Sequence, residues 1–561
     1  MSEYTKLDES ISVLRQRADA WVDLPLGARI RYLDSILEGT FRVAHAQVQR
    51  ATVAKSISVD EPAAAEEYFG GPVVQLRTIR QLIETLKRIE QTGRIDFTGP
   101  LRTTTSGRLA AQVFPNRAMD KILFSGFNAE VWMQAQVDRN NLDEHTGFMY
   151  RERPNTGRVA LVLGAGNVAS IGPLDVVHKL FVEGQVCLLK MNPVNEYLGE
   201  FIEEAFARLI QDGFVQLAYG GGDVGAYLAQ HEEIDEIHIT GSDRTHDLIV
   251  FGGGEDGEAR KANNTPINTK RITSELGNVS PIIVVPGLWS KKEMKFQAEN
   301  VATQMTNNGG FNCNAAKMLI LEDEWPQKAD FIDMLASVLS EIPQRVAYYP
   351  GAYDRYERFV SKHPSPIKVG IHDERVLPWT LLPDVSVEDE REPYFTEESF
   401  CGVTAQTTIS ANGPEEFLDK AVQFCNQELW GTLNACIIVD PRTEARLGDA
   451  LENAVSNLRY GSVGINHWPA VCYGLGSTSW GAYPGHSLND IQSGIGVVHN
   501  TFLFEAPEKS VMRGPFTIFP KPPWFVTHKS AHKVARRMIA LEHKPSYWRV
   551  PAVAVAAMSG G

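Results

Sequence analysis

From Val159 onward, short apolar runs and amphipathic stretches take turns along the chain. VALVL (159–163), VCLLK (186–190), VQLAYG (215–220) and EIHIT (236–240) read as buried strands. Between them VVHKLFVEG, FIEEAFARLIQDG and VGAYLAQH place apolar residues at three- and four-residue spacing, the period of a helix. Strands that alternate with helices this regularly predict an α/β fold, a parallel sheet covered by helices, which is the dinucleotide-binding architecture. A second α/β region begins near PIIVV at 281 and runs to about 480. Residues 1–95 read mostly as helices packing on a neighbouring sheet. Residues 100–160 read as strands joined by turns around Pro154-Asn155.

Composition narrows the function classes. A length of 561 residues with 43% hydrophobic content suits two to four globular domains. The net charge of −15 would repel a phosphate backbone, so no nucleic-acid partner is expected. Six cysteines without paired short spacings exclude a disulfide scaffold. No apolar stretch reaches the ~18 residues of a spanning helix, and the start MSEYTKLDES is acidic and polar, so a cytoplasmic protein is expected. The end differs in texture: residues 506–561 hold nine Lys or Arg and two acidic residues, a net of +7.

Four stretches have the residue types of a reactive site. Gly164-Ala165-Gly166-Asn167-Val168-Ala169 follows a strand and fits a loose G-x-G-x-x-G/A turn, but a generic βα turn fits equally. The acidic residue expected ~20 positions later is absent, and Lys190 ends the next strand. Cys313 in NNGGFNCNAAK has flexible glycines before it and small residues after it, which suits a thiolate nucleophile; a buried structural cysteine is the alternative. Glu275 in ITSELGNVSP is a general base if partly desolvated and otherwise a solvated loop charge. Glu397-Glu398 in PYFTEESF is equally ambiguous alone, and the 14 histidines show no metal-ligand spacing, so no metal site is expected.

Taken in order, these stretches resemble the aldehyde dehydrogenase superfamily from about residue 15 to about 500. LVLGAGN aligns Asn167 with the family's oxyanion-binding asparagine, and LLKMNP aligns Lys190 with the lysine on the adenosine ribose. HEEIDEIHITGS aligns Gly241 and Ser242 with the turn over the pyrophosphate. SELGNVSP aligns Glu275 with the general base and puts Leu276 beside the cofactor, and NNGGFNC aligns Cys313 with the nucleophile. EESF places Glu398 on the nicotinamide ribose and Phe400 beside the nicotinamide ring. Departures from the family pattern are Gly166, Phe311, Asn278 and Cys401-Gly402. Pro193 stands where many NAD-specific members carry a glutamate, which leaves NAD or NADP open.

The resemblance implies a Rossmann-like cofactor domain (1–130 and 156–280), a catalytic domain with the cysteine (281–485), small β oligomerisation strands (131–155 and 486–505) and a basic C-terminal extension (506–561). It implies NAD(P)-dependent oxidation of an aldehyde to the acid by a homodimer or homotetramer. The alternatives are a fatty-acyl or acyl-CoA reductase of the same superfamily and an inactive oligomeric scaffold. In the extension, Ala531, Val534, Met538 and Leu541 form one apolar stripe on a helix between Ser530 and Pro545, and VPAVAVAAM reads as an apolar strand. Docking on the acidic body or a neighbouring subunit is expected in preference to peripheral membrane contact.

Overall fold

The computed structural model describes residues 3–152, 154–387 and 393–561. Two mainly parallel sheets organise it, as the alternation predicts. The smaller has six strands in the order Gly494–Ile495, Arg271–Leu276, Glu236–Gly241, Val159–Leu163, Val186–Lys190, Val215–Ala218. All neighbours are parallel except Gly494–Ile495, which runs antiparallel to Arg271–Leu276. Helices cover both faces, so VALVL and VCLLK need no polar alternation. The strand order reverses between Val159–Leu163 and Glu236–Gly241, and a crevice for a ligand opens at the carboxyl ends of strands at such a point.

The N-terminal helices Glu3–Asp23, Leu26–Ala54 and Val74–Thr92 pack over this sheet. Trp21, fully buried, donates its indole N–H to Leu180 O at 3.0 Å and sits against Phe181 and Phe214.

The larger sheet has eleven strands. Its parallel centre runs Pro507–Arg513, Ser462–Ile465, Asn434–Ile438, Ser280–Val284, Ala316–Glu322, Val403–Ile409, Trp379–Leu382. Strands Leu101–Thr103, Leu109–Phe114 and Asn128–Met133 extend it antiparallel beyond Pro507–Arg513. The first two fall in the 1–130 stretch grouped above with the cofactor half, yet their hydrogen bonds lie in this larger sheet. Pro507–Arg513, within the stretch set apart as an extension, stands near its middle.

The rest of the C-terminal segment folds back on its own chain. The helix Ala531–His543 buries Ala531, Val534, Met538 and Leu541 in the same core as the N-terminal helices. Basic residues of the C-terminal segment meet acidic groups of the body: Lys521 pairs with Glu299 at 2.8 Å, Arg536 with Asp60 at 3.1 Å and Lys544 with Glu38 at 3.0 Å. Ser530 does not cap the helix; its hydroxyl donates to Ala556 O at 2.6 Å. VPAVAVAAM is a helix, Val550–Met558, and not the strand its Val/Ala alternation suggests. Pro551 suits a first helical turn, alanine is the strongest helix former, and the neighbour across the contact is a helix, not an open sheet edge.

Candidate active site

Three segments converge between the sheets. Asn167 stands in the turn after Val159–Leu163, Glu275 near the end of Arg271–Leu276, and Cys313 in the loop before Ala316–Glu322. All three line one cavity of about 880 Å³.

The loop that delivers Cys313 is turned by three successive left-handed residues, Asn308 (φ +54°), Gly309 (φ +70°) and Gly310 (φ +80°). A Cβ at 310 would overlap the Cys401 carbonyl, so only glycine fits there. Asn308, a residue type that tolerates this region, repays the strain with its side chain. Its Nδ2 donates to Asn167 O and Phe311 O, both at 3.0 Å, and its Oδ1 accepts from Lys55 Nζ at 2.9 Å. Lys55 Nζ also reaches Asn167 O (3.1 Å) and pairs with Glu67 (2.7 Å). The turn with Asn167 and the loop with Cys313 are thus clamped to each other.

Asn167 Nδ2 donates one hydrogen to Phe311 O at 3.2 Å, which leaves its second N–H for a ligand. The Cys313 carbonyl is held by Ser280 Oγ and Asn434 Nδ2, both at 3.3 Å, while Asn314 Nδ2 lies 3.6 Å from Sγ. Burial raises the Cys313 thiol well above its ordinary value, and the Glu275 and Glu398 carboxylates add to the shift. Glu275 is buried and pushed up to about 8, first by desolvation and then by Asp175. The thiol itself and the Trp480 indole, which closes no well-formed hydrogen bond, oppose that rise. A carboxyl of this basicity beside a neutral thiol has the chemistry to accept the thiol's proton near neutral pH.

The residues aligned with cofactor contacts lie on both sides of the crevice. Lys190 ends its strand, 7% exposed, its ammonium lowered by burial. Gly241 ends Glu236–Gly241, and Ser242 caps the helix Asp243–Phe251 by accepting from Thr245 N at 3.2 Å. Leu276 is buried and its N–H donates to Ser493 O at 2.8 Å. From the larger sheet's side, Glu398 lies so close over Gly277 that any side chain at 277 would overlap its Oε2. Burial pushes Glu398 up to about 7 against the pull of Lys317 and Arg355, and its Oε1 is buried without a partner. Phe400 packs edge-on to Tyr349 with ring centres 4.9 Å apart. Among the described residues no group of three His, Cys, Asp or Glu is placed to share a metal ion.

Sequence reasoning assigned no role to several neighbours. Asn308 had a signal, an asparagine before Gly-Gly, which is turn chemistry for positive φ. Lys55 and Glu67 had none. Tyr473 lines the cavity beside Cys313, donates to or accepts from Ser170 Oγ at 2.8 Å and packs on Trp480.

Residues 116–346 match the sequence pattern described as the aldehyde dehydrogenase family. The N-succinylglutamate 5-semialdehyde dehydrogenase of Novosphingobium aromaticivorans is 25% identical over 221 residues, 39% of this chain and 42% of that protein. This chain therefore matches well under two thirds of that relative's length. The fold is that of the NADP-dependent glyceraldehyde-3-phosphate dehydrogenase of Bacillus halodurans, solved with NADP (TM-score 0.61, 16% identity, 91% of each chain). It is equally that of the NAD-dependent aldehyde dehydrogenase of Sinorhizobium meliloti (TM-score 0.60, 15% identity, 93% of this chain and 88% of that one). The sequence pattern of residues 116–346 and the two-sheet fold thus match those of aldehyde dehydrogenases, and a cysteine and a glutamate face one cavity between the sheets.

Proposed function

We propose that the protein oxidises an aldehyde to its carboxylic acid with NAD or NADP, Cys313 acting as nucleophile and Glu275 as base. The observation that carries this is the pairing of Cys313 with a Glu275 carboxyl of pKa about 8 on the wall of one cavity, next to Asn167. Glu275 takes the thiol proton and the sulfur adds to the carbonyl carbon, sending the π pair onto oxygen. The free N–H of Asn167 and the Cys313 backbone N–H hold that oxyanion, each donor contributing about 3–4 kcal/mol. Hydride leaves the carbon, for which a bound nicotinamide would be the acceptor, and a thioester remains on Cys313. Once Glu275 has passed the thiol proton to solvent, it takes a proton from water, which adds to the thioester and releases the sulfur. In sum, aldehyde, oxidised cofactor and water give carboxylate, reduced cofactor and two protons.

The crevice suits a dinucleotide. The unpartnered Glu398 Oε1 is an acceptor for ribose hydroxyls, Lys190 a donor to the other ribose, and the helix N-terminus behind Gly241-Ser242 a site for the pyrophosphate. Phe400 and Leu276 flank the nicotinamide in this reading. Glu275 beside the sulfur favours water over coenzyme A as acyl acceptor. Six free cysteines support a reducing, cytoplasmic setting, and a homodimer or homotetramer belongs to the same proposal. The test is absorbance at 340 nm with an aldehyde panel and NAD or NADP, with and without coenzyme A. Turnover only with coenzyme A would replace this reaction with acyl transfer, and no turnover with any pair would leave a binding protein.

A further inference from the structure

The cavity that holds Cys313 extends well beyond the reacting atoms. Its 880 Å³ lies in the upper part of the range for sites that enclose a whole ligand. Its far wall is built by the C-terminal segment, through Trp524 and Phe525 and the inward side of the helix Val550–Met558 at Val553 and Ala554. Trp468 and Phe127 face them from the body.

The buried cations on the wall do not offer themselves to a ligand. Lys55 is paired with Glu67, Arg345 with Glu66 at 2.8 Å, Arg77 with Glu542 at 2.9 Å and Lys521 with Glu299. Lys529, the remaining lysine of the lining, is exposed to solvent. A carboxylated substrate would therefore find no buried cation to receive it, and an apolar one meets aromatic and aliphatic side chains. Two large apolar side chains of the lining are themselves exposed, Ile122 at 55% and Phe519 at 76%. Side chains of that kind at an entrance are suited to an apolar visitor.

We propose that this cavity is a tunnel for an aldehyde bearing a long hydrocarbon chain, with the carbonyl at Cys313 and the chain lying beneath the C-terminal helices. The proposal rests on the reaction assigned above and names its substrate class. At roughly 30 Å³ for each water-sized group, a chain of twelve to sixteen carbons takes about 350–500 Å³ and fits with its whole length withdrawn from water. The C-terminal segment is then a part of the binding site, since without it the chain would lie on open surface.

The experiment measures kcat/KM for butanal, octanal, dodecanal and hexadecanal alongside betaine aldehyde and succinic semialdehyde, and reads dodecanoate and butyrate binding by calorimetry. Expected are a rise of at least 100-fold from butanal to dodecanal, carried by KM, and binding of dodecanoate but not butyrate. Ala554→Phe, which fills the tunnel, and Val553→Asp, which charges it, are each expected to bring the dodecanal-to-butanal ratio down at least 30-fold. A flat chain-length profile, or a preference for either of the charged aldehydes, overturns the tunnel and leaves the reaction standing. If no aldehyde turns over but dodecanoate binds, and Ala554→Phe removes that binding, the tunnel stands and the reaction falls. Failure of dodecanoate to bind overturns the tunnel outright.

Discussion

Glu542→Ala removes the carboxylate that fastens the C-terminal helices to the body. Glu542 pairs with Arg77 at 2.9 Å and with Arg80, and its backbone oxygen accepts from Arg80 Nε at 2.7 Å. The three side chains are 5%, 8% and 4% exposed for Arg77, Arg80 and Glu542. Deleting one partner of a buried pair leaves charge without compensation and costs about 3–5 kcal/mol. Arg77 retains Asp120 at 3.0 Å and Arg80 the half-exposed Glu84 at 3.3 Å, so the low end applies, ~3 kcal/mol. At 1.4 kcal/mol per decade, that raises the open population of the segment about 100-fold. Hydrogen exchange by mass spectrometry reads it directly. Amides of 531–558 are expected to exchange about 100-fold faster at neutral pH, while those of Val186–Lys190 keep their rate. Exchange in 531–558 within threefold of the parent would refute the argument that this ion pair holds the segment down. Acid gives an independent check. Burial alone would raise the Glu542 carboxyl, but Arg77 and Arg80 outweigh it and hold it below the usual range. A depressed carboxyl contributes stability above its unfolded value of about 4.3 and loses it as pH falls through the lower folded value, so the segment opens on the acid side.

Cys313→Ala is expected to abolish oxidation and keep cofactor binding, seen as unchanged quenching of protein fluorescence by NADH. Glu275→Gln should accumulate an acyl group on Cys313, visible as added mass in the intact protein; rapid turnover without an adduct would move the base elsewhere. Because Glu275 is raised to about 8, its basic form grows as pH rises, and kcat/KM should climb about tenfold per pH unit below pH 8 and level off above it. Gly277→Ala forces Glu398 aside at little cost in stability, because the displaced atom is the end of a flexible side chain, and KM for the cofactor should rise at least tenfold. With proline at 193 and a cation at 190, NADP should serve alongside NAD; a preference for NAD beyond ~1000-fold, or ~4 kcal/mol, would mean another group excludes the 2′-phosphate.

Local pattern carried the parts of this protein that depend on neighbours in sequence. VALVL and VCLLK announced themselves as strands because both faces of their sheet are covered, and a run with no polar break has few other uses. Cys313 and Glu275 were legible because each sits in a short stretch whose turn residues and reactive group travel together. Lys55 was not. Its three partners come from the helix Ala64–Tyr68, the Asn167 turn and the Asn308 loop, and nothing around residue 55 hints at them. The helix Val550–Met558 was misjudged because alternating Val and Ala mimics a strand's period, while the packing partner that decides the matter lies in a different segment. The role of Glu542 was hidden by charge counting: the basic tail is fastened by one of its two acids to arginines of an acidic body.

The strand Pro507–Arg513 has a consequence for biosynthesis. It is the piece that joins Asn128–Met133 to Ser462–Ile465, with Ser510 opposite both Val131 and Ser462. At about 5–20 residues per second, a ribosome needs roughly 20–75 s to travel from the first of these strands to the last. Throughout that interval the hairpin of Leu109–Phe114 and Asn128–Met133 offers one edge of bare backbone amides and carbonyls, and edges of that kind recruit other chains. A nascent chain therefore carries that unpaired edge until Pro507–Arg513 has emerged, and high-level expression should reward slower synthesis at low temperature with a larger folded fraction.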